Sequence, residues 1–128
     1  MQRSFPVSTT GLAAASGFLS ACLRQFGLGE TISNRFSVIL DEVCANMLRH
    51  DPTLDETAVF TLEVDPVSDG ASLTISDPGQ HFNPLEYRHD QVPEIGGHGI
   101  TIIKGLASAV SYVRRDEANH LNVVVRNH

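Results

Sequence analysis

Apolar residues recur along the chain with two different periods, and the change from one to the other divides it into regions. Arg3 to Val7 alternates weakly and predicts a short edge strand, with Ser8 or Thr9 placed to cap a following helix. Leu12, Ala15, Leu19, Cys22 and Phe26 then step by three and four, which is one face of a helix ended by Gly27-Leu28-Gly29. A second helix is expected from near Thr31 to about His50, stopped by Asp51-Pro52. Its stripe is Phe36, Ile39, Leu40, Val43 and Met47.

From Ala58 the period changes to two. VFTLEVDP, a turn at Ser68-Asp69-Gly70 and ASLTISD read as a hairpin whose second strand ends at Asp77. Residues 78–99 hold three Pro and four Gly without a sustained period, so they predict a long irregular loop. In a compact domain such a loop is usually functional, for instance an active-site lid. Ile100 to Ala109 resumes helical spacing, and two closing strands, AVSYVRR and HLNVVVR, follow around a turn at Asp116 to Asn119. Grouped helices with adjacent antiparallel strands imply an α+β fold. The expectation is a two-layer sandwich, with a mixed, mainly antiparallel sheet and about three helices on one face.

Composition narrows the function classes. A length of 128 residues fits one domain, residues 1–128, around a single core. The net charge of −6, with Lys104 as the one lysine, leaves no basic stripe for a polyphosphate backbone, so direct nucleic-acid binding is not expected. No apolar run approaches the roughly 18 residues of a membrane span, and MQRSFPVSTTGLAAASG is not a secretory leader. A soluble, cytoplasmic protein is expected. Cys22 and Cys44 both fall on helix stripes and read as small core hydrophobes rather than a disulfide or a metal pair.

Three short features carry candidate chemistry. Glu42 and Asn46 are four apart on the second helix, at one edge of its apolar stripe, which they share with Arg35. Such a pair either looks into a cleft or is a solvated flank. Asp77 leaves a strand into Pro78-Gly79, either as an Asx-type turn former or as a carboxylate presented to a ligand's amino group. Gly96-Gly97-His98-Gly99 precedes an apolar helix, where it is either a hinge or a close approach to phosphate oxygens at a helix start. His81, His89 and His98 lie in the irregular segment without the paired spacing of a zinc site.

Taken together, the three features resemble the N box and the two glycine boxes of the GHKL (Bergerat-fold, histidine-kinase-like) ATPase superfamily. The runs ILDEVCANMLRH, ISDPGQHFNPL and GGHGITIIKGLASAVSYVRRDEANHLNVVVR are most similar to its anti-sigma factor serine/threonine kinases, and the likeness covers nearly the whole chain. The resemblance implies that Asn46 holds the Mg²⁺ bridging the phosphates of ATP and that Glu42 is the general base for an accepting serine hydroxyl. Asp77 would bind the adenine amino group, Gly79 would let the chain pass close to the base, and Gly97 and Gly99 would seat the phosphates. A single Asn carbonyl suits Mg²⁺, which keeps several waters and few protein ligands.

The implied activity is an ATP- and Mg²⁺-dependent serine/threonine protein kinase acting as an anti-sigma factor. Its implied partners are a sigma factor, a STAS-domain anti-anti-sigma protein and a second copy of the chain. This sequence departs from the family wording at Gln80-His81, at His98 and at Ser108. Two other functions are weighed: a nucleotide-binding partner-switching regulator that transfers no phosphate, and, ranked last, a histidine-kinase catalytic domain. For Arg35, an ion pair with Glu42 is expected ahead of a role at the phosphates.

Overall fold

The computed structural model describes residues 1–50, 58–78 and 103–127, with backbone only for 48–50. The element order is β1 (Gln2–Pro6), α1 (Thr9–Gln25), α2 (Glu30–His50), β2 (Val59–Val67), β3 (Gly70–Asp77), β4 (Ala109–Arg115) and β5 (Ala118–Arg126). A helical turn at residues 103–106 precedes β4.

Helix α1 is fixed at both ends by local chemistry. Ser8 is extended, and its hydroxyl accepts from the Gly11 N–H at 3.0 Å, satisfying one of the unpaired donors of the first turn. At the other end Gly27 takes φ 77°. Its N–H donates to the Arg24 carbonyl at 3.0 Å and the Leu28 N–H to the Leu23 carbonyl at 3.1 Å, the two bonds of a Schellman motif. Gly11 is required for a different reason: a Cβ there would lie 1.8 Å from the Pro6 carbonyl oxygen, so α1 can cross the end of β1 only without a side chain.

The strands form one five-stranded sheet in the order β1-β2-β3-β5-β4. Every described pair is antiparallel, so the sheet is simpler than the mixed one expected. Ser68-Asp69 joins β2 to β3, with Val67 opposite Gly70, and Asp116-Glu117 joins β4 to β5, with Arg115 opposite Ala118. Asp116 and Glu117 both take positive φ, 54° and 60°, the sense of a two-residue turn that matches strand twist.

Alternation along the strands separates two faces. Phe5, Phe60, Leu62, Val64, Leu73, Ile75, Leu121, Val123 and Val125 point to one side and are buried with Ala15, Leu19, Leu23, Ile32, Phe36, Ile39 and Leu40 of the two helices. Each fully buried side chain of this size contributes about 1.5–3 kcal/mol relative to exposure. The other face carries polar ladders: Ser4 and Thr61 hydroxyls lie 2.8 Å apart, and the Asn122 amide donates to Ser72 and Thr74 at 2.8 and 2.9 Å. An α+β sandwich with its helices on one sheet face is thus the observed architecture.

The helix expected to run to Ala109 ends earlier. The described helical turn closes with the Ala107 N–H on the Ile103 carbonyl at 3.0 Å, and the Ser108 N–H already donates to Val124 at 2.8 Å. Pairing with β5 therefore claims Ala109 as the first residue of β4. Among the described residues no helix is long and apolar enough to cross a membrane.

Candidate functional site

Helix α2 positions the first two candidate residues. Along a helix each residue turns by about 100° and rises about 1.5 Å, so Glu42 and Asn46 stack on one edge of the stripe formed by Ile32, Phe36, Ile39, Leu40 and Met47. Glu42 is half-buried, whereas Asn46 is only 8% exposed. Among the described residues nothing donates to or accepts from the Asn46 side chain. A buried polar group left unpaired costs roughly 1–3 kcal/mol, and the commonest physical justification is a ligand, water or ion that satisfies it.

The ion pair expected between Arg35 and Glu42 does not form; a described ion pair joins Asp65 instead to the Met1 amino group at 3.7 Å. The physical reason is axial distance. Seven residues of helix separate Arg35 and Glu42 by about 10 Å, two full turns, even though they share an edge.

Strand β3 delivers the third candidate. Asp77 is its last residue, half-buried and opposite Asn119 of β5. The Asn119 amide nitrogen donates to Oδ1 of Asp77 at 3.1 Å. In turn, the Asn119 amide oxygen accepts from the Tyr112 hydroxyl at 2.6 Å and from the Arg114 guanidinium at 3.2 Å. The carboxylate is therefore anchored by a network reaching to the edge strand β4. Sequence reading missed Asn119, Tyr112 and Arg114. A signal was available: on β5 the inward positions run 119, 121, 123, 125, and Asn119 is the polar residue in a row otherwise made of Leu121, Val123 and Val125.

Electrostatics ties Asp77 to α2. Burial, followed by the charges of Asp41 and Asp77, pushes the Cys44 thiol up from its ordinary 9.0 to about 12. Cys44 lies between Glu42 and Asn46 in sequence but toward another side of the helix, so the carboxylate at the end of β3 is felt on α2 without being placed beside those two side chains. Both Cys22 and Cys44 are buried free thiols, in keeping with their reading as core residues. Gly79, Gly97 and Gly99 lie outside the described residues, as do His81, His89 and His98. Among the described residues no cluster of three or more His, Cys, Asp or Glu could hold a metal ion.

Known proteins similar in sequence and in fold place the chain in a family. The family model for the histidine kinase-like ATPase domain matches residues 5–125. The chain belongs to that family. The GHKL resemblance and its anti-sigma serine/threonine kinase branch are supported in the same way.

A serine/threonine-protein kinase of Bordetella bronchiseptica, BtrW, is 31% identical over 97 residues, covering 70% of this chain and 68% of the relative. Among solved structures, the RsbU and RsbW domains of Rv1364c from Mycobacterium tuberculosis superpose with a TM-score of 0.67 at 10% identity over 98% of this chain. This protein spans only 31% of that longer chain. The histidine kinase domain of a blue-light activated histidine kinase from Erythrobacter litoralis gives a TM-score of 0.57 at 18% identity, covering 90% of this chain and 60% of that one. At these identities the two structural matches speak to the fold alone.

Proposed function

We propose that this protein is an ATP- and Mg²⁺-dependent serine/threonine kinase that works as an anti-sigma factor, binding a sigma factor and phosphorylating a STAS-domain anti-anti-sigma protein. The observation that carries the reading is the buried amide of Asn46, without a partner among the described residues and one helical turn beyond Glu42, in a chain of the histidine kinase-like ATPase family. The similarity to a protein named as a serine/threonine kinase supports the choice of acceptor.

The donor set fits a hard cation. The Asn46 amide oxygen is a neutral oxygen ligand, buried and lacking a described partner, and it would hold Mg²⁺ together with the phosphates of ATP. When bound, that ion neutralises phosphate charge, which is the main electrostatic demand of phosphoryl transfer. Glu42 accepts the proton of the serine hydroxyl as its oxygen attacks the terminal phosphorus, and ADP leaves. Asp77 accepts a hydrogen bond from the adenine amino group. Gly79 admits the base, and Gly97 and Gly99 present backbone N–H groups to the phosphates, with residues 78–99 serving as a lid. In this reading residues 1–128 act as one ATPase domain in the cytoplasm, two copies of which associate, and transcription is affected through captured proteins without contact with DNA.

A second reading, an ATP-binding regulator that transfers no phosphate, is favoured by Gln80-His81 and His98 where the family wording differs. One experiment separates them. The protein is incubated with labelled ATP, Mg²⁺ and STAS-domain proteins encoded nearby, and phosphoserine is sought. Transfer supports the kinase; nucleotide binding without transfer supports the regulator. No rise in melting temperature at saturating ATP and Mg²⁺ overturns both, because a ligand that binds only the folded state must stabilise it.

A further inference from the structure

We infer that Asn119 is the positioning residue for Asp77 and that the chain Tyr112–Asn119–Asp77 sets the preference for a 6-amino over a 6-oxo purine. The inference rests on the reading of Asp77 as the base-binding carboxylate and adds to it the group that makes that carboxylate selective.

Three observations converge. Asn119 is 7% exposed and sits directly opposite Asp77 in the β3–β5 register, so backbone pairing fixes the distance between them. Its amide nitrogen donates to Oδ1 of Asp77 at 3.1 Å. Its amide oxygen receives two donors, the Tyr112 hydroxyl at 2.6 Å and the Arg114 guanidinium at 3.2 Å. These contacts leave the amide one orientation. Turning it over would set its NH₂ against the Arg114 guanidinium, which only donates, and its carbonyl against the Asp77 carboxylate, which only accepts; the Tyr112 hydroxyl alone could adapt by accepting.

Fixing the amide fixes the carboxylate. Rotation of the Asp77 side chain about its last torsion, otherwise broad and nearly two-fold, breaks the bond to Asn119. A carboxylate so held is an acceptor at a set position. It matches an exocyclic amino group, which donates, and repels a 6-oxo group, which accepts. Sites built on a buried hydrogen bond discriminate against a ligand that cannot make it far more strongly than apolar pockets do, because the site's own polar groups are left unpaired. Without Asn119 the carboxylate loses the contact that holds Oδ1 in place, and a shift of that oxygen relaxes the distinction.

The test compares Mg²⁺-ADP with Mg²⁺-IDP, which differ at position 6 of the base, by titration calorimetry on the full chain. The unsubstituted protein is expected to prefer ADP by at least about tenfold. Asn119→Leu and Asn119→Asp should weaken ADP binding and bring the ADP-to-IDP ratio near one, the Asp variant by setting a second acceptor against Asp77. Tyr112→Phe, which removes one of the two donors behind the amide, should shift the ratio the same way but less. Circular dichroism and melting establish which variants fold, and the Asp and Phe variants decide the matter if the Leu variant does not. A simple structural role lowers the melting temperature without moving the ratio. Folded Asn119 variants with the unsubstituted ratio and ADP affinity overturn the inference, while loss of the ratio in Asp77→Asn leaves the base-binding reading standing. An unsubstituted protein that binds neither nucleotide overturns both.

Discussion

Asp77 at the end of β3 acts on the thiol of Cys44 on α2: after burial and the charge of Asp41, its charge is the third cause holding that thiol protonated to about pH 12. The relationship joins two parts of the chain more than thirty residues apart in sequence and brings the end of the central strand near the helix. Cys44 stands two residues from both Glu42 and Asn46, about 200° around the helix from each, so the relationship brings Asp77 near α2 at the level of those residues but toward another side of the helix.

The raised thiol gives a pH prediction. In the unfolded chain Cys44 ionises near 9.0, whereas in the folded protein it does so only near 12. Between those values the folded state holds a proton that the unfolded state has lost, so stability falls as pH rises, and below the unfolded value Cys44 has no effect. Cys44→Ala should flatten the fall in unfolding free energy between about pH 9 and 11 by up to roughly 1 kcal/mol per pH unit, measured by urea unfolding. In the native protein at neutral pH the same thiol should resist a disulfide reagent that labels it readily in denaturant; equal labelling rates would show that burial does not protect it.

Asn46 should separate stability from binding. Its buried amide has no described partner, so Asn46→Leu removes a desolvation penalty while keeping similar volume. The nucleotide-free variant is expected to be as stable as the parent or more stable by roughly 1 kcal/mol. Under the proposed function it should also lose the part of nucleotide affinity that depends on Mg²⁺. Calorimetry with and without EDTA reads the second effect and thermal melting the first. A variant that is destabilised by several kcal/mol would mean that the amide is satisfied within the fold.

Glu42 sits one turn earlier, half-buried, and should affect transfer alone. Glu42→Gln keeps shape and hydrogen-bonding reach but cannot take a proton, so ADP binding should stay within about twofold while phosphate transfer falls by roughly 10²–10⁴. Single-turnover phosphorylation of a STAS-domain substrate measures the second quantity. Undiminished transfer would remove Glu42 from the chemistry.

These residues also show where sequence could and could not lead. Apolar periodicity located α1, α2 and the β2–β3 hairpin, because the stripe of Phe36, Ile39, Leu40 and Met47 and the alternation of Phe60, Leu62 and Val64 are the residues actually buried. Glu42, Asn46 and Asp77 were visible as polar residues at set spacings beside those stripes. Arg35 misled because helical phase matches it to Glu42 while axial rise separates them, and phase is the part of helix geometry that a pattern displays. Asn119 stayed hidden because its meaning depends on β5 lying beside β3, a pairing between segments more than forty residues apart. Ala109 fell both in the helical spacing of 100–109 and in the strand AVSYVRR, and hydrogen bonding to β5 makes it strand. Strand pairing decided Asn119 and Ala109, whereas Arg35 was misjudged within a single helix.

Two residues in left-handed backbone give opposite predictions from the same physics. Gly27 closes α1 at φ 77°, where a side chain has open space but its Cβ strains against the backbone. Gly27→Ala should therefore destabilise by about 1 kcal/mol through conformation alone, lowering the melting temperature by roughly 3–5 °C. Glu117 adopts φ 60° in the β4–β5 turn with a side chain already present, and it is exposed. Glu117→Gly removes that strain at some cost in chain entropy, so a net gain of roughly 0.5 kcal/mol is expected. Because the turn sets the register that places Asn119 opposite Asp77, a better turn should leave the Asp77 contact intact. Thermal melting of the two variants side by side checks the pair, and a stabilising Gly27→Ala would show that α1 does not end through its Schellman bonds.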